Sequence, residues 1–439
     1  MYKQLTIRNT ILFKIRNLNY LLLKEIIGIT IFVLFLLLNF GCSKPENKPP
    51  QENKPPISLP INSVTLISTM GLNCHQPHDV EGLNFAKKDG ITWIRTGNLW
   101  ENIETTKGVY DWSSDDETIT LLEPRGLKML YIFCYGNPLY ATDPPFDTET
   151  TNAFVNYAKA TALHFKGKGL RYEIWNEPGN IHPFNQESQY AALCRKVADA
   201  VHSVDPSALI SNGGLGRFDL EWANNMFATG VGNIDAVAVH EYTMNGFYGP
   251  GCNTKPELIF PNMEKWRAIY QQYLPQVKTD WMTEWGPDLA SDCNFDQHKY
   301  SYIIVKQMLA NWMVGITMQV IYADGDNGYS LFAADDDFKG SHLRRANLAL
   351  EKLITITGQK PIQSYTNPTT NNCIWSVTLT GSPSVQITWV PKGSVTVTVP
   401  QGSRCMDLYG DNVALSTQGI TESVTMNESA GVYYFTLAN

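Results

Sequence analysis

Two glutamates stand in aromatic settings far apart in the chain, in Trp175-Asn176-Glu177-Pro178 and in Trp281-Met282-Thr283-Glu284-Trp285-Gly286. Two carboxyls facing each other across a cleft can cleave a glycosidic bond: one protonates the leaving oxygen while the other attacks the anomeric carbon or activates water. Aromatic neighbours suit the same task, because sugar rings present apolar C–H faces that stack on them. Both glutamates close strand-like runs, so a fold that brings two strand ends together is needed.

Strand-like runs over 64–68, 91–95, 127–134, 170–176, 208–212, 234–240, 278–283 and 316–322 alternate with helix-period stretches, clearest over 153–164, 187–203, 263–273, 297–314 and 342–356. Eight such units over roughly 295 residues predict an α/β fold, a closed (β/α)8 TIM barrel, with its active site at the C-terminal strand ends. The alternative, an open doubly wound sheet, usually carries a Gly-rich turn after its first strand. Here that place reads Met70-Gly71-Leu72-Asn73-Cys74-His75, without the G-x-G-x-x-G pattern. In a barrel, strands four and seven face each other across the mouth, which brings Glu177 and Glu284 into one cleft.

Further segments follow in order: Trp93-Ile94-Arg95, Trp100-Glu101-Asn102-Ile103-Glu104, Gly108-Val109-Tyr110-Asp111-Trp112 and Val239-His240-Glu241-Tyr242. With these, residues 61–356 resemble the clan A glycoside hydrolases, retaining enzymes on a (β/α)8 barrel, and are most similar in motif to family 39, with Thr105 where that family has Pro. The resemblance implies Glu177 as acid/base and Glu284 as nucleophile. It also implies Asn176 as partner of the sugar 2-hydroxyl, Arg95 and Tyr242 as groups that hydrogen-bond the nucleophile, and His240 on the same floor. Glu177 is expected to have a raised pKa, since two neighbouring carboxyls resist double ionisation. No cofactor and no metal are implied. The expected partner is a carbohydrate, with family 39-like β-xylosidase favoured and a family 5-like endo-glucanase or mannanase as the alternative. A non-catalytic surface glycan-binding lipoprotein is the reading from another class.

Trp285, Tyr135, Asn137, Tyr322, Asp324, Asp326 and His75 lie at strand ends as candidate substrate-binding residues, each with ordinary packing as its bland reading. His75 and His78 have a metal-like spacing without an evident acidic or Cys partner, so they read as sugar-lining or structural. Glu173 shares strand parity with Glu177 and reads as a buried ion-pair residue, while Asp335-Asp336-Asp337 reads as a solvated loop. The Gly-, Pro- and Asn-rich stretch 243–261 is expected to decide between endo and exo action.

The chain of 439 residues carries 34 Lys+Arg against 42 Asp+Glu, a formal charge of −8, with 43% hydrophobic residues. That composition excludes intrinsic disorder, and an acidic chain without basic runs lacks the footprint of a nucleic-acid partner. Residues 1–41 hold five basic residues against Glu25, so the remainder has 29 basic and 41 acidic residues, a balance of −12. The apolar run 26–38, at 13 residues, is shorter than the ~20 needed to span a bilayer. Followed by Gly41 and Cys42, it resembles a bacterial lipoprotein signal over 1–41, with Cys42 as lipidation site; an uncleaved signal anchor is the alternative. This predicts an exported protein of the cell envelope, on an outer membrane and held only by its N-terminal lipid, with no protein partner implied. Residues 42–60 repeat an Asn-Lys-Pro-Pro unit and read as a Pro-rich tether. After 356 the texture turns to period-2 strands separated by Gly, Pro, Asn and Ser, which predicts a small β-sandwich over 357–439. Removing Cys42 leaves seven cysteines, an odd number, of which Cys252 and Cys293 are the expected disulfide.

Overall fold

A computed structural model describes residues 64–181, 183–184, 186–216, 219–242, 256–287, 293, 296–324, 331, 345–366 and 374–438. The leader, the tether, Cys42, Asp326, the 335–337 run, Cys252 with its proposed disulfide, and most of the 243–261 stretch lie outside the described residues.

Eight parallel strands form the centre: β1 (Met70–Asn73), β2 (Trp93–Thr96), β3 (Lys128–Phe133), β4 (Arg171–Ile174), β5 (Leu209–Asn212), β6 (Val237–His240), β7 (Asp280–Trp285) and β8 (Met318–Ile321). Their order is β5-β4-β3-β2-β1-β8-β7-β6, and parallel bridges Ser211–Ala236 and Leu215–Val239 join the β5 and β6 edges into a barrel. Each strand is followed by a helix: α1 (Val80–Lys88), α2 (Ser113–Leu122), α3 (Thr148–His164), α4 (Glu187–Val204), α5 (Leu220–Thr229), α6 (Ile259–Tyr270), α7 (Gln297–Met313) and α8 (Arg345–Thr357). Four of them begin on an aspartate, Asp79, Asp147, Asp219 or Asp296, whose carboxylate accepts first-turn N–H groups that the helix itself leaves unpaired.

The first strand departs from the sequence expectation. Residues 66–69 form a helical turn whose Leu66 and Thr69 are buried, and the strand is Met70–Asn73. The β-branched 64–68 run therefore leads into the strand rather than forming it, and its Val64, Ile67 and Ser68 carbonyls accept from Trp312, Thr92 and Trp93. The strand occupies the segment read as the following turn.

Side chains alternate across each strand, so every strand feeds two cores. Trp93, Leu130, Ala236, Ala238, Trp281, Met318 and Val320 cluster inside the barrel. Arg171 stacks over Trp93 at 4.1 Å and Trp281 at 5.2 Å, closing the N-terminal end with cation–π contacts. The larger core lies between strands and helices.

After α8 the chain builds two antiparallel sheets from β9 (Ile362–Thr366), β10 (Trp375–Leu379), β11 (Val385–Trp389), β12 (Ser394–Pro400), β13 (Arg404–Met406), β14 (Asn412–Val413), β15 (Ser416–Gln418), β16 (Thr421–Asn427) and β17 (Val432–Thr436). One sheet runs β14-β13-β17-β11-β10-β9 and the other β12-β16-β15. Together with the barrel their described residues belong to one compact unit. Phe260 of α6 stacks on Trp375 with ring centroids 4.5 Å apart, and the Trp389 indole N–H donates to Glu257 at 2.7 Å. Buried Lys306 of α7 donates to the Glu428 carbonyl, and burial pulls its pKa down to about 8.

Candidate active site

Arg95, at the end of β2, organises the barrel mouth. Its Nε donates to Glu173 at 2.7 Å, Nη1 to Glu284 at 2.8 Å and Asn73 at 3.1 Å, and Nη2 to Asn176 at 2.8 Å. One buried guanidinium thus ties the ends of β1, β2, β4 and β7 together, using the fork geometry that a lysine cannot supply. Burial lowers its pKa, but Glu173 and Glu284 outweigh that effect and hold it above the usual arginine range.

Glu284 is buried on β7 and receives Arg95 on Oε1 and the Tyr242 hydroxyl on Oε2 at 2.9 Å. Glu177 is reached through a strained exit from β4, where Trp175 has φ of +72° and Glu177 itself +45°. Non-glycine residues seldom occupy this left-handed region, and such residues cluster at functional sites. The turn lays the Glu177 carboxyl back over the mouth, where Oε1 meets His240 Nδ1 at 3.0 Å and Oε2 accepts from Asn180 at 2.7 Å. A carboxyl oxygen of Glu177, one of Glu284 and a ring nitrogen of His240 all lie within 4.8 Å of one another.

The glycines after β5 make this closeness possible. A β-carbon on Gly213 would stand 2.3 Å from the Trp175 carbonyl, one on Gly214 2.1 Å from the His240 ring, and one on Gly216 2.6 Å from the Glu177 carboxyl. Asn180, Thr283, Asn73 and these glycines are site residues that sequence reasoning missed. The Gly213-Gly214-Leu215-Gly216 cluster at a strand end was the available signal.

Burial opposes charge on Glu177, yet the contact with His240 overrides it, with Asn180 and Arg95 adding to the effect, and its pKa falls to about 2. The expected rise is therefore not what the resting cleft produces. Burial also opposes charge on His240, but Glu284 and Glu177 raise its pKa above the ordinary histidine value. The contact between Glu177 and His240 thus favours the charged form of each.

Among the described residues, Glu177, His240 and Glu284 are also the group close enough to ligate one ion. Arg95 and Tyr242 already donate to both oxygens of Glu284, and an ion there would sit beside a guanidinium.

A cavity of about 340 Å³ opens beside Glu284, lined among others by Asn73, His75, Arg95, Tyr135, Asn176 and Tyr322. Of the candidate substrate-binding residues, Tyr135, Tyr322 and His75 line this cavity, with the Tyr135 hydroxyl accepting from Asn176 at 2.9 Å. A second hollow of about 110 Å³ is bounded by Gly179, Asn180, Leu215, Gly216, Asp219 and Trp222, of which Asn180 donates to Glu177.

Three candidates face elsewhere. Trp285 is fully buried in the core between strands and helices, because a register irregularity in β7 brings Thr283 and Glu284 in succession to the barrel mouth and turns Trp285 the other way. Buried Asn137 spends its amide on the Trp100 and Glu104 carbonyls at 3.3 and 2.8 Å and its oxygen on Leu139 N–H. Asp324 accepts from the backbone N–H groups of His75 and Gln76, clamping the β8 exit to the β1 exit. His78 binds the Ser114 carbonyl and Thr118 hydroxyl, a structural role. Glu173 is fully buried and ion-paired, as read from its parity. Glu104 of the Trp100–Ile103 helical turn's exit accepts from Trp100, Gly108 and Tyr140, each at 2.6 Å, so the Trp- and Tyr-rich segment after β2 is a scaffold held by one buried carboxylate.

The chain is similar in structure to a family 39 glycoside hydrolase from the gut symbiont Bacteroides cellulosilyticus WH2, with a TM-score of 0.65 at 17% identity, covering 85% of this chain and 82% of that one. It has the fold of the clan A glycoside hydrolases. A monomeric β-xylosidase from Caulobacter crescentus CB15 gives a TM-score of 0.61 at 12% identity, over 86% of this chain and 98% of that one. A family 30 endoxylanase from Clostridium papyrosolvens C71 gives 0.59 at 12% identity, over 86% and 98%. No family model and no curated protein sequence matches the chain.

Proposed function

We propose that the protein is a retaining β-glycoside hydrolase acting on an oligosaccharide or polysaccharide, with Glu284 as nucleophile and Glu177 as acid/base. The observation that carries this reading is the approach of the two carboxyls, oxygen to oxygen within 4.8 Å, across the mouth of the barrel. Retaining enzymes hold their carboxyls ~5–5.5 Å apart, whereas inverting ones need ~6.5–9.5 Å to admit water. In the first step Glu284 bonds to the anomeric carbon as the glycosidic C–O bond breaks, and the proton shared by Glu177 and His240 leaves with the departing hydroxyl. In the second, water adds its hydroxyl to the anomeric carbon, frees Glu284 and returns a proton to the pair. Arg95 and Tyr242 orient Glu284, and Asn176, fixed between Arg95 and Tyr135, faces the site of the 2-hydroxyl.

Family 39-like β-xylosidase action is the favoured specificity, supported by the sequence segments after β2 and β6 and by likeness to the family 39 enzyme and the β-xylosidase. The leader and Cys42 support export and a lipid anchor on the cell envelope. Hydrolysis of aryl β-glycosides and xylo-, gluco- and manno-oligosaccharides tests the reading, with retention read by NMR of the first-formed anomer. Loss on Glu177→Gln and Glu284→Gln is expected. Glycan binding with undetectable wild-type hydrolysis would overturn it in favour of a binding protein.

A further inference from the structure

The contacts of His240 restrict where its protons can sit. Glu173, ion-paired with Arg95 through Oε2, uses Oε1 to accept the Gly214 N–H and the Thr283 hydroxyl, both at 2.8 Å. The Thr283 hydrogen is therefore committed to Glu173, and its oxygen is left to accept from His240 Nε2 at 3.1 Å. Nε2 must carry a proton. The other nitrogen, Nδ1, then faces Glu177 Oε1 at 3.0 Å and Glu284 Oε2 at 3.4 Å. Two bare acceptors cannot form a hydrogen bond, so one further proton lies between Nδ1 and Glu177, on either atom.

We infer that Thr283 is a positioning residue for catalysis: by fixing the Nε2–H tautomer of His240 it makes the imidazole hold, and then release, the proton that Glu177 delivers to the leaving group. The inference rests on the glycosidase reading above. The charged and titratable groups facing the imidazole are Glu177 and Glu173 from β4 and its exit, Glu284 from β7 and Arg95 from β2, with Tyr242 after β6 reaching it only through Glu284. Of these, Glu284 changes charge during the reaction. When it bonds to the anomeric carbon, the negative charge 3.4 Å from Nδ1 disappears. The imidazolium loses that support, Nδ1–H breaks, the proton passes to Glu177 and on to the glycosidic oxygen, and His240 remains as the neutral Nε2–H form. Proton delivery is thereby timed to bond formation at Glu284. Without the Thr283 hydroxyl, neutral His240 can adopt the Nδ1–H form and bond an ionised Glu177, leaving no acid in the cleft.

Thr283→Val and Thr283→Ser, compared with wild type, test this. The valine variant is expected to lose about 10- to 100-fold in kcat/KM on glycosides with sugar or alkyl leaving groups, which need an acid. It should keep activity within about threefold on 2,4-dinitrophenyl glycosides, which do not, and its alkaline limb should move to lower pH. Serine should restore wild-type behaviour. Equal losses on both substrate types, or none on either, would overturn the inference. Nitrogen-15 histidine spectra read the tautomer without turnover: Nε2–H at high pH in the wild type supports the inference, and Nδ1–H overturns it. A wild type that hydrolyses neither substrate type refutes the glycosidase reading instead, while the spectra still judge the tautomer.

Discussion

Gly214 lies so close to His240 that a β-carbon in its place would stand 2.1 Å from the imidazole ring. The same backbone donates to Glu173 and accepts from Glu177 N–H at 3.1 Å, so it cannot retreat without disturbing both. Gly214→Ala is therefore expected to cost about 1–3 kcal/mol as an overpacking change, measured by chemical denaturation. Turnover should fall further than stability explains, because His240 must shift away from Glu177. Unchanged stability and turnover would show that the loop has more room than its contacts indicate.

Arg95 serves Glu173, Glu284, Asn176 and Asn73 at once. Arg95→Lys keeps the charge and loses the fork, leaving buried carboxylates underserved, so a loss of about 3–5 kcal/mol is expected. Urea unfolding measures it. A lysine variant as stable as wild type would mean that solvent or rearrangement satisfies those oxygens.

Glu284→Ala should be inactive in buffer and should regain turnover of activated aryl glycosides in azide, giving a glycosyl azide of inverted configuration. The azide fills the space of the lost carboxylate on the face that Glu284 attacks. A product of retained configuration would remove Glu284 from the nucleophile role.

Trp222 borders the hollow that shares Asn180 and Gly216 with the surroundings of Glu177, and we propose that this hollow receives the leaving sugar. Trp222→Ala is expected to lower kcat/KM on oligosaccharides about tenfold, equivalent to ~1.4 kcal/mol of stacking, while glycosyl fluorides are unaffected. Equal losses on both substrates would place the effect in the fold rather than in recognition of the leaving sugar.

Asp89, buried at the end of α1, accepts from Asn347 of α8, and burial raises its pKa to about 7 despite that bond. An unfolded aspartate releases its proton near pH 4. The stability that protonated Asp89 contributes is thus complete below about pH 4 and is lost as pH climbs toward 7, by up to ~4 kcal/mol. Asp89→Asn should flatten this slope and raise Tm above wild type at pH 8; a slope as steep as wild type's would assign it to other groups.

The alternation of strands and helices was legible because most strands are short runs rich in β-branched or aromatic residues and the stretches between them are long enough for helices, and the paired glutamates were legible because their neighbours are unusual. The first strand was not. Met70-Gly71-Leu72-Asn73 contains a glycine and an asparagine, residues poor in strands, and only the barrel's pairing to β2 and β8 makes it one. Direction was equally hidden: Trp285 and Asn137 have the right residue types in the right places, but a register irregularity in β7 and loop hydrogen bonds turn them away from the cavity. The proton arrangement could not be read at all, since it depends on Thr283, Glu173 and His240, which lie on three strands.

The contacts of Phe260 and Glu257 with Trp375 and Trp389 have a consequence for the ancestry and engineering of the protein. A barrel cut at Thr357 would leave the Phe260 ring bare at the start of α6 and the Glu257 carboxylate without its indole donor. The terminal sheets therefore act less as a passenger than as a cover for that part of the barrel's outer layer. Exchanging them for another module would require redesigning that surface, so the two parts are expected to have changed together.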